Sequence, residues 1–121
     1  MIQKGTKFVV IDNSGAKEAE CIGFFGSSKL GGVSIGDKVK VAVKVSASDG
    51  SIKRGAVSKA IIVRTRGKMR RKNGECIGFG DNAVALLNDD DSLRGTRVFG
   101  PVARELKRCF PKLASLANEV V

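Results

Sequence analysis

The sequence predicts a mostly β domain, a small closed barrel of short strands finished by short C-terminal α-helices. Three observations carry this expectation. Short runs rich in Val, Ile and Phe recur at close spacing and are punctuated by Gly, Asn, Asp and Ser. One of them, Lys38 to Val45, alternates so that Val39, Val41, Val43 and Val45 share one face while Lys38, Lys40 and Lys44 share the other. Only beyond residue 100 does the period lengthen, with Val102, Leu106 and Phe110 four positions apart. A chain of 121 residues is the size of one domain and buries about two-thirds of its unfolded surface, enough for a core without staples.

Taken in order, Lys7 to Ile11 is a β-rich run ended by Asp12-Asn13-Ser14-Gly15, whose Asx side chains and Gly suit a sharp reversal. A second strand is expected over Glu20 to Phe25. The Gly-rich stretch Gly26 to Gly32 reads as a loop; without a following Gly-Lys-Ser/Thr it is no phosphate cradle. Lys38 to Val45 is a half-buried strand with a basic outer surface, and the loop Ser46 to Gly55 adds Lys53 and Arg54. Ala60 to Val63 opens a hairpin that returns through Ile77 to Phe79, and Ala83 to Leu87 is a further strand after Gly80-Asp81-Asn82. Pro101, behind Gly100, is placed to start a helix, and Pro111 starts a second with Leu113, Leu116 and Val120 on its apolar side. The expected organisation is a single domain, with residues 1–99 forming the barrel, its basic hairpin at 60–79, and residues 100–121 forming a short helical segment.

Charge is concentrated in one third of the chain. Residues 1–35 hold four cations and three acids, residues 36–72 twelve and two, and residues 73–121 six and seven. The entire net charge of +10 therefore lies in the middle. Within it, Arg64, Arg66, Lys68, Arg70, Arg71 and Lys72 crowd the hairpin tip with no acid among them. They lie well inside a Debye length of about 8 Å and repel when unpaired, so a polyanion is the natural partner. The candidate contacts to nucleic acid are Lys40, Lys44, Lys53, Arg54, Lys59, Arg64, Arg66, Lys68, Arg70, Arg71 and Lys72.

Enzymatic constellations are missing, and no catalytic residue is assigned. There is no His, which removes the commonest general base. No metal or cofactor is expected: Cys21, Cys76 and Cys109 are scattered and cannot complete a zinc site, and they read as reduced thiols packed as small hydrophobes. Asp89-Asp90-Asp91 lacks the spacing of a calcium loop and reads as a solvated turn. No apolar run approaches the roughly 18 residues of a spanning helix, so no membrane partner is expected. With no Trp, no Tyr and six Phe, most of them beside apolar residues, base stacking is expected to be minor. Affinity should come from Arg and Lys on phosphates, which suits a large folded RNA recognised by shape.

Ordered landmarks add a resemblance. Asp12-Asn13-Ser14-Gly15-Ala16, Gly36-Asp37, Lys59-Ala60-Ile61-Ile62-Val63-Arg64-Thr65, Arg70-Arg71, Asn73-Gly74, Phe79, Asn82-Ala83, Leu86-Leu87-Asn88 and Gly95-Thr96-Arg97-Val98-Phe99-Gly100-Pro101-Val102, then Arg104-Glu105-Leu106, run collinearly from end to end. In these the chain resembles the universal large-subunit ribosomal protein family numbered fourteen, of the bacterial and organellar type. The resemblance implies a five-stranded barrel and a structural role without catalysis. It implies binding to large-subunit rRNA (23S-type), bridges to small-subunit rRNA through Lys44 to Asp49 (Lys44, Ser48 and Asp49 within it) and through Ser115 and Asn118, and packing against neighbouring large-subunit proteins. It further implies docking of a ribosome silencing factor on Thr96, Arg97 and Ser115.

The chain departs from the family pattern at Ser48-Asp49-Gly50, where bacterial members usually carry Pro-Arg-Gly, and at Lys17-Glu18, Leu30-Gly31, Ala85 and Asn118. Thinned RNA contacts favour a mitochondrial or other organellar ribosome over a bacterial one. The alternative function is a free barrel-type RNA-binding translation factor or RNA chaperone, distinguished by washing off at moderate salt.

Overall fold

Alternation along the strands becomes inside and outside of a barrel wall. The computed structural model describes residues 4–24, 35–46, 52–67, 69–70, 74–117 and 119–121. Its elements are β1 (Lys7–Val10), β2 (Ala16–Phe24), β3 (Lys38–Ser46), β4 (Val57–Arg64), β5 (Met69–Arg70), β6 (Cys76–Ile77), β7 (Ala83–Leu87), β8 (Pro101–Val102), α1 (Leu106–Cys109), α2 (Pro111–Leu116) and β9 (Glu119–Val120). Strands β1, β2, β3, β4 and β7 close a five-stranded barrel in that order, antiparallel throughout except for the parallel β1–β7 seam. Closure leaves no unpaired sheet edge among these strands.

Phe8, Val10, Ala19, Cys21, Val39, Val41 and Val43 are buried at alternate positions of β1 to β3. Strands β4 and β7 differ, since Ala60 to Val63 and Ala83 to Leu87 are buried at every consecutive position. A strand with both faces buried needs cover outside the barrel. That cover belongs to the same core, which includes Val98, Val102, Ala103, Leu106 and Leu113.

Five details differ from the sequence expectation. Val45 is 42% exposed and does not continue the valine stripe, because the β2–β3 register shifts between Ala16 and Glu18 and between Glu18 and Ala19, breaking the alternation there. Pro101 does not begin a helix. With Gly100 at φ +79° the chain turns into β8, which pairs in parallel with β9, while Val121 N donates to Val102 O at 2.9 Å. Val102 keeps its buried place, and the helix waits until Leu106. The hairpin's return strand is Cys76–Ile77 rather than Ile77 to Phe79, and β2 spans Ala16–Phe24 rather than Glu20 to Phe25. Finally, Cys21 is buried, which pushes its thiol pKa up, whereas Cys76 is exposed and packs in no core.

Candidate nucleic-acid interface

The basic hairpin is an arm of its own. Met69 and Arg70 face Ile77 and Cys76 in an antiparallel ribbon separate from the barrel sheet. Its root is stitched to the barrel. Phe79 N donates to Thr65 O at 3.1 Å, Arg66 N to the side-chain oxygen of Asn82 at 2.7 Å, and Arg66 Nε to Gly80 O at 3.2 Å. Arg64 is the hinge post. Its side chain is only 12% exposed, Nη2 donates to Asp81 Oδ2 at 3.4 Å, and Nε lies 3.3 Å from Asp81 Oδ1, close enough to pair though not aligned as a hydrogen bond. Gly100 leaves room for it, since a Cβ there would come within 2.6 Å of Arg64 Nη1. Arg66, beyond the post, is exposed.

A second cationic group lies across β3 and β4. Lys40 stands directly opposite Lys59, a like-charge pair that destabilises a sheet unless an acid intervenes. Asp91 intervenes: its Oδ1 is 3.2 Å from Lys59 Nζ and its Oδ2 is 3.1 Å from Lys38 Nζ, while Lys59 also donates to Asp89 O at 3.3 Å. The acidic turn is thus a clasp over β3 and β4 as well as a reversal, closed by Asn88 N to Ser92 O at 2.8 Å. Hydrogen bonds from Lys38 and then Lys59 hold the Asp91 carboxyl below its ordinary value of 3.8. A depressed folded-state pKa adds stability that is present above the unfolded value and lost as pH falls through the folded one. The urea midpoint of Asp91→Asn should therefore lie below that of wild type at pH 7, with the gap closing below about pH 4; a gap independent of pH would refute the clasp. Lys40, Lys53 and Arg54 are exposed, and Lys44, also exposed, pairs with Glu20 at 3.3 Å.

The third feature joins two sequence landmarks far apart in the chain. Asn13 Oδ1 accepts from Thr96 N at 2.7 Å and Arg97 N at 3.1 Å, and Asn13 Nδ2 donates to Thr96 Oγ1 at 2.9 Å. Gly95 makes the approach possible, because a Cβ there would lie 2.8 Å from Asn13 Oδ1 and 2.9 Å from Asp12 Cβ. Thr96 and Arg97 are exposed on this clamped turn. Ser115 is exposed on α2, with its hydroxyl donating to Lys112 O at 2.7 Å.

Of the sequence candidates, Arg64 and Arg66 meet at the arm root, Lys40 and Lys59 on one strip of wall, and Thr96 and Arg97 on one turn. Lys59 and Arg64 are partly or wholly neutralised by carboxylates of the same chain and act first as positioning residues. Ser48, Asp49, Lys68, Arg71, Lys72 and Asn118, and the side chain of Arg70, lie outside the described residues. Asp12 and Asn13 are not among the candidates: the sequence marks them as turn formers, and their long-range partners Leu86, Thr96 and Arg97 are more than 70 positions away.

These features define a small, strongly basic β-barrel protein with a cationic arm rooted in its wall. The family described as ribosomal protein L14p/L23e matches residues 1–121. The chain belongs to that family, and so has a structural role in the large ribosomal subunit, among ribosomal RNA and neighbouring ribosomal proteins.

Proposed function

We propose that the chain anchors to 23S-type large-subunit rRNA through phosphate contacts from the basic arm and the β3–β4 wall, and that further contacts, from Lys44 to Asp49 and from Ser115 and Asn118, bridge to small-subunit rRNA. The observation that carries this reading is the arm root: four polar contacts tie its two sides together, with Arg66 exposed just beyond Arg64. Ordering the root in advance reduces the entropy lost on binding. Lys40, Lys53 and Arg54 extend the positive surface. Lys44 and Ser115, both exposed, are the described members of the proposed bridges, with Ser48, Asp49 and Asn118 completing them. Thr96, Arg97 and Ser115 would receive a silencing factor that blocks subunit joining. The acid at Asp49 favours an organellar ribosome.

Replacing Arg66, Lys68, Arg70 and Arg71 together by Ala should weaken rRNA binding and leave barrel melting nearly unchanged. Loss of about four phosphate contacts should lower the salt slope by about 3.6 on a duplex-like target. A filter-binding titration that returned the wild-type slope would sink the reading.

A further inference from the structure

Of the seven large apolar side chains exposed among the described residues, Val9, Ile22, Val45 and Val57 share the outer wall of β1 to β4. Strand register gathers them around two acids. Glu18 of β2 stands between Val9 of β1 and Val45 of β3, and the next row runs Lys7, Glu20, Ala42 and Val57. Opposed side chains on one face lie about 5 Å apart, so valines flank Glu18 on both sides. The β2–β3 register shifts on either side of Glu18, which is what turns Val45 outward into this row. A groove of about 430 Å³ opens along it, edged by Lys7 and Lys44. Lys44 is taken by Glu20 at 3.3 Å, whereas Glu18 is exposed and has no ion pair with a described cation. The neutral rows end where Lys40 and Lys59 begin the cationic strip, two residues further along each strand.

Charge decides the kind of partner. The groups that edge the groove, Lys7, Lys44, Glu18 and Glu20, sum to zero in a chain whose net charge is +10. A phosphate backbone meets no surplus cation here, an open carboxylate repels it, and the valines offer it nothing. An Arg or Lys side chain of a protein fits every part, its aliphatic stem lying across the valines while its head pairs with Glu18. We infer that this wall is a docking face for an extended segment of a neighbouring large-subunit protein, which lays an Arg or Lys along the row of Val9, Glu18 and Val45. The inference goes beyond the rRNA reading, whose cations lie on the arm and on the strip of Lys40 and Lys59.

The test places the photo-cross-linker p-benzoylphenylalanine at Val9 of the full chain, assembles it into large subunits and irradiates the isolated particles. The cross-link should map to a protein segment beside an Arg or Lys, and it should be lost when the same chain carries Glu18→Lys. In competition with an equal amount of wild type for incorporation, Glu18→Lys alone should occupy about one particle in ten or fewer, the effect of losing one hydrogen bond to a charged group. Glu18→Gln should lose in the same direction by a smaller factor. Thermal melts of both should match wild type because Glu18 is exposed. Their affinity for in vitro transcribed large-subunit rRNA should be undiminished, so a chain whose wild type fails to bind that rRNA would sink the rRNA reading and leave the docking face standing on its cross-link. A cross-link to rRNA or to a second copy of this chain, no cross-link, or a protein cross-link indifferent to Glu18→Lys overturns the inference. Equal incorporation of Glu18→Lys and wild type overturns it too.

Discussion

Val41→Asp should abolish folding. Val41 is completely buried in β3, between Cys21 on one neighbouring strand and Ser58 on the other. It shares the apolar core with Val39, Val43 and Phe8, and its buried cross-strand neighbour Ser58 carries no charge. A carboxylate there has no cation to pair with and must either stay charged in a low-dielectric interior or take up a proton. Either way the cost is several kcal/mol, comparable with the roughly 5 to 15 kcal/mol that stabilises a whole domain. Lys40→Ala, one residue away on the outer wall, should change stability by no more than about 0.5 kcal/mol. Circular dichroism and thermal melts of the pair provide the check. Equal melting temperatures would mean that the register is wrong.

The second large effect is expected at Asp12, a buried carboxylate with three donors. Leu86 N donates to Oδ2 at 2.9 Å, and Ser14 donates to Oδ1 through both its backbone N, at 3.2 Å, and its hydroxyl. Leu86 is fully buried in β7, so no water replaces the lost acceptor when the carboxylate is removed. An orphaned buried N–H costs about 1 to 3 kcal/mol, and hydrogen bonds to a charged group about 1.5 to 3 kcal/mol. Asp12→Ala should therefore destabilise by about 3 kcal/mol or more, a fall in Tm of about 10 °C for a domain of this size. Asp12→Asn keeps one acceptor and should lie between the two. Urea denaturation is the direct measurement, and a loss below about 1 kcal/mol would show that Asp12 is not the tie between the first reversal and β7. Because Asp12 also bridges to Val98 and neighbours Asn13, the same change should loosen the Thr96–Arg97 turn.

The barrel was largely legible in the sequence because the strands carry their own signals. Alternation in Lys38 to Val43 and the Asp12-to-Gly15 reversal depend on neighbours a few residues apart. The misreadings have a common cause in distant pairing. Val45 follows the valine pattern yet is exposed because the β2–β3 register shifts on both sides of its pairing with Glu18. Pro101 carries a helix-start signature yet enters a strand because Glu119–Val120 lies ready to pair with it. Phe99 reads as core material by composition, but only the bridge between Asp12 and Val98 decides that Val98 faces in and Phe99 faces out.

Sequence alone determined that this protein concentrates its charge on one hairpin, has no His for acid–base chemistry, and carries strand periods adding up to a small barrel. Those properties are sums or short-range repeats, and they survive any arrangement in space. Tertiary structure decided which cations remain available: Lys59 and Arg64 are countered by Asp91 and Asp81, acids 32 and 17 positions away, while Arg66 and Arg97 stay exposed. It also decided that Asn13 holds Thr96 and Arg97 in place. Pairing of this kind depends on distances of a few ångströms between residues far apart in the chain, and only closure of the barrel sets those distances.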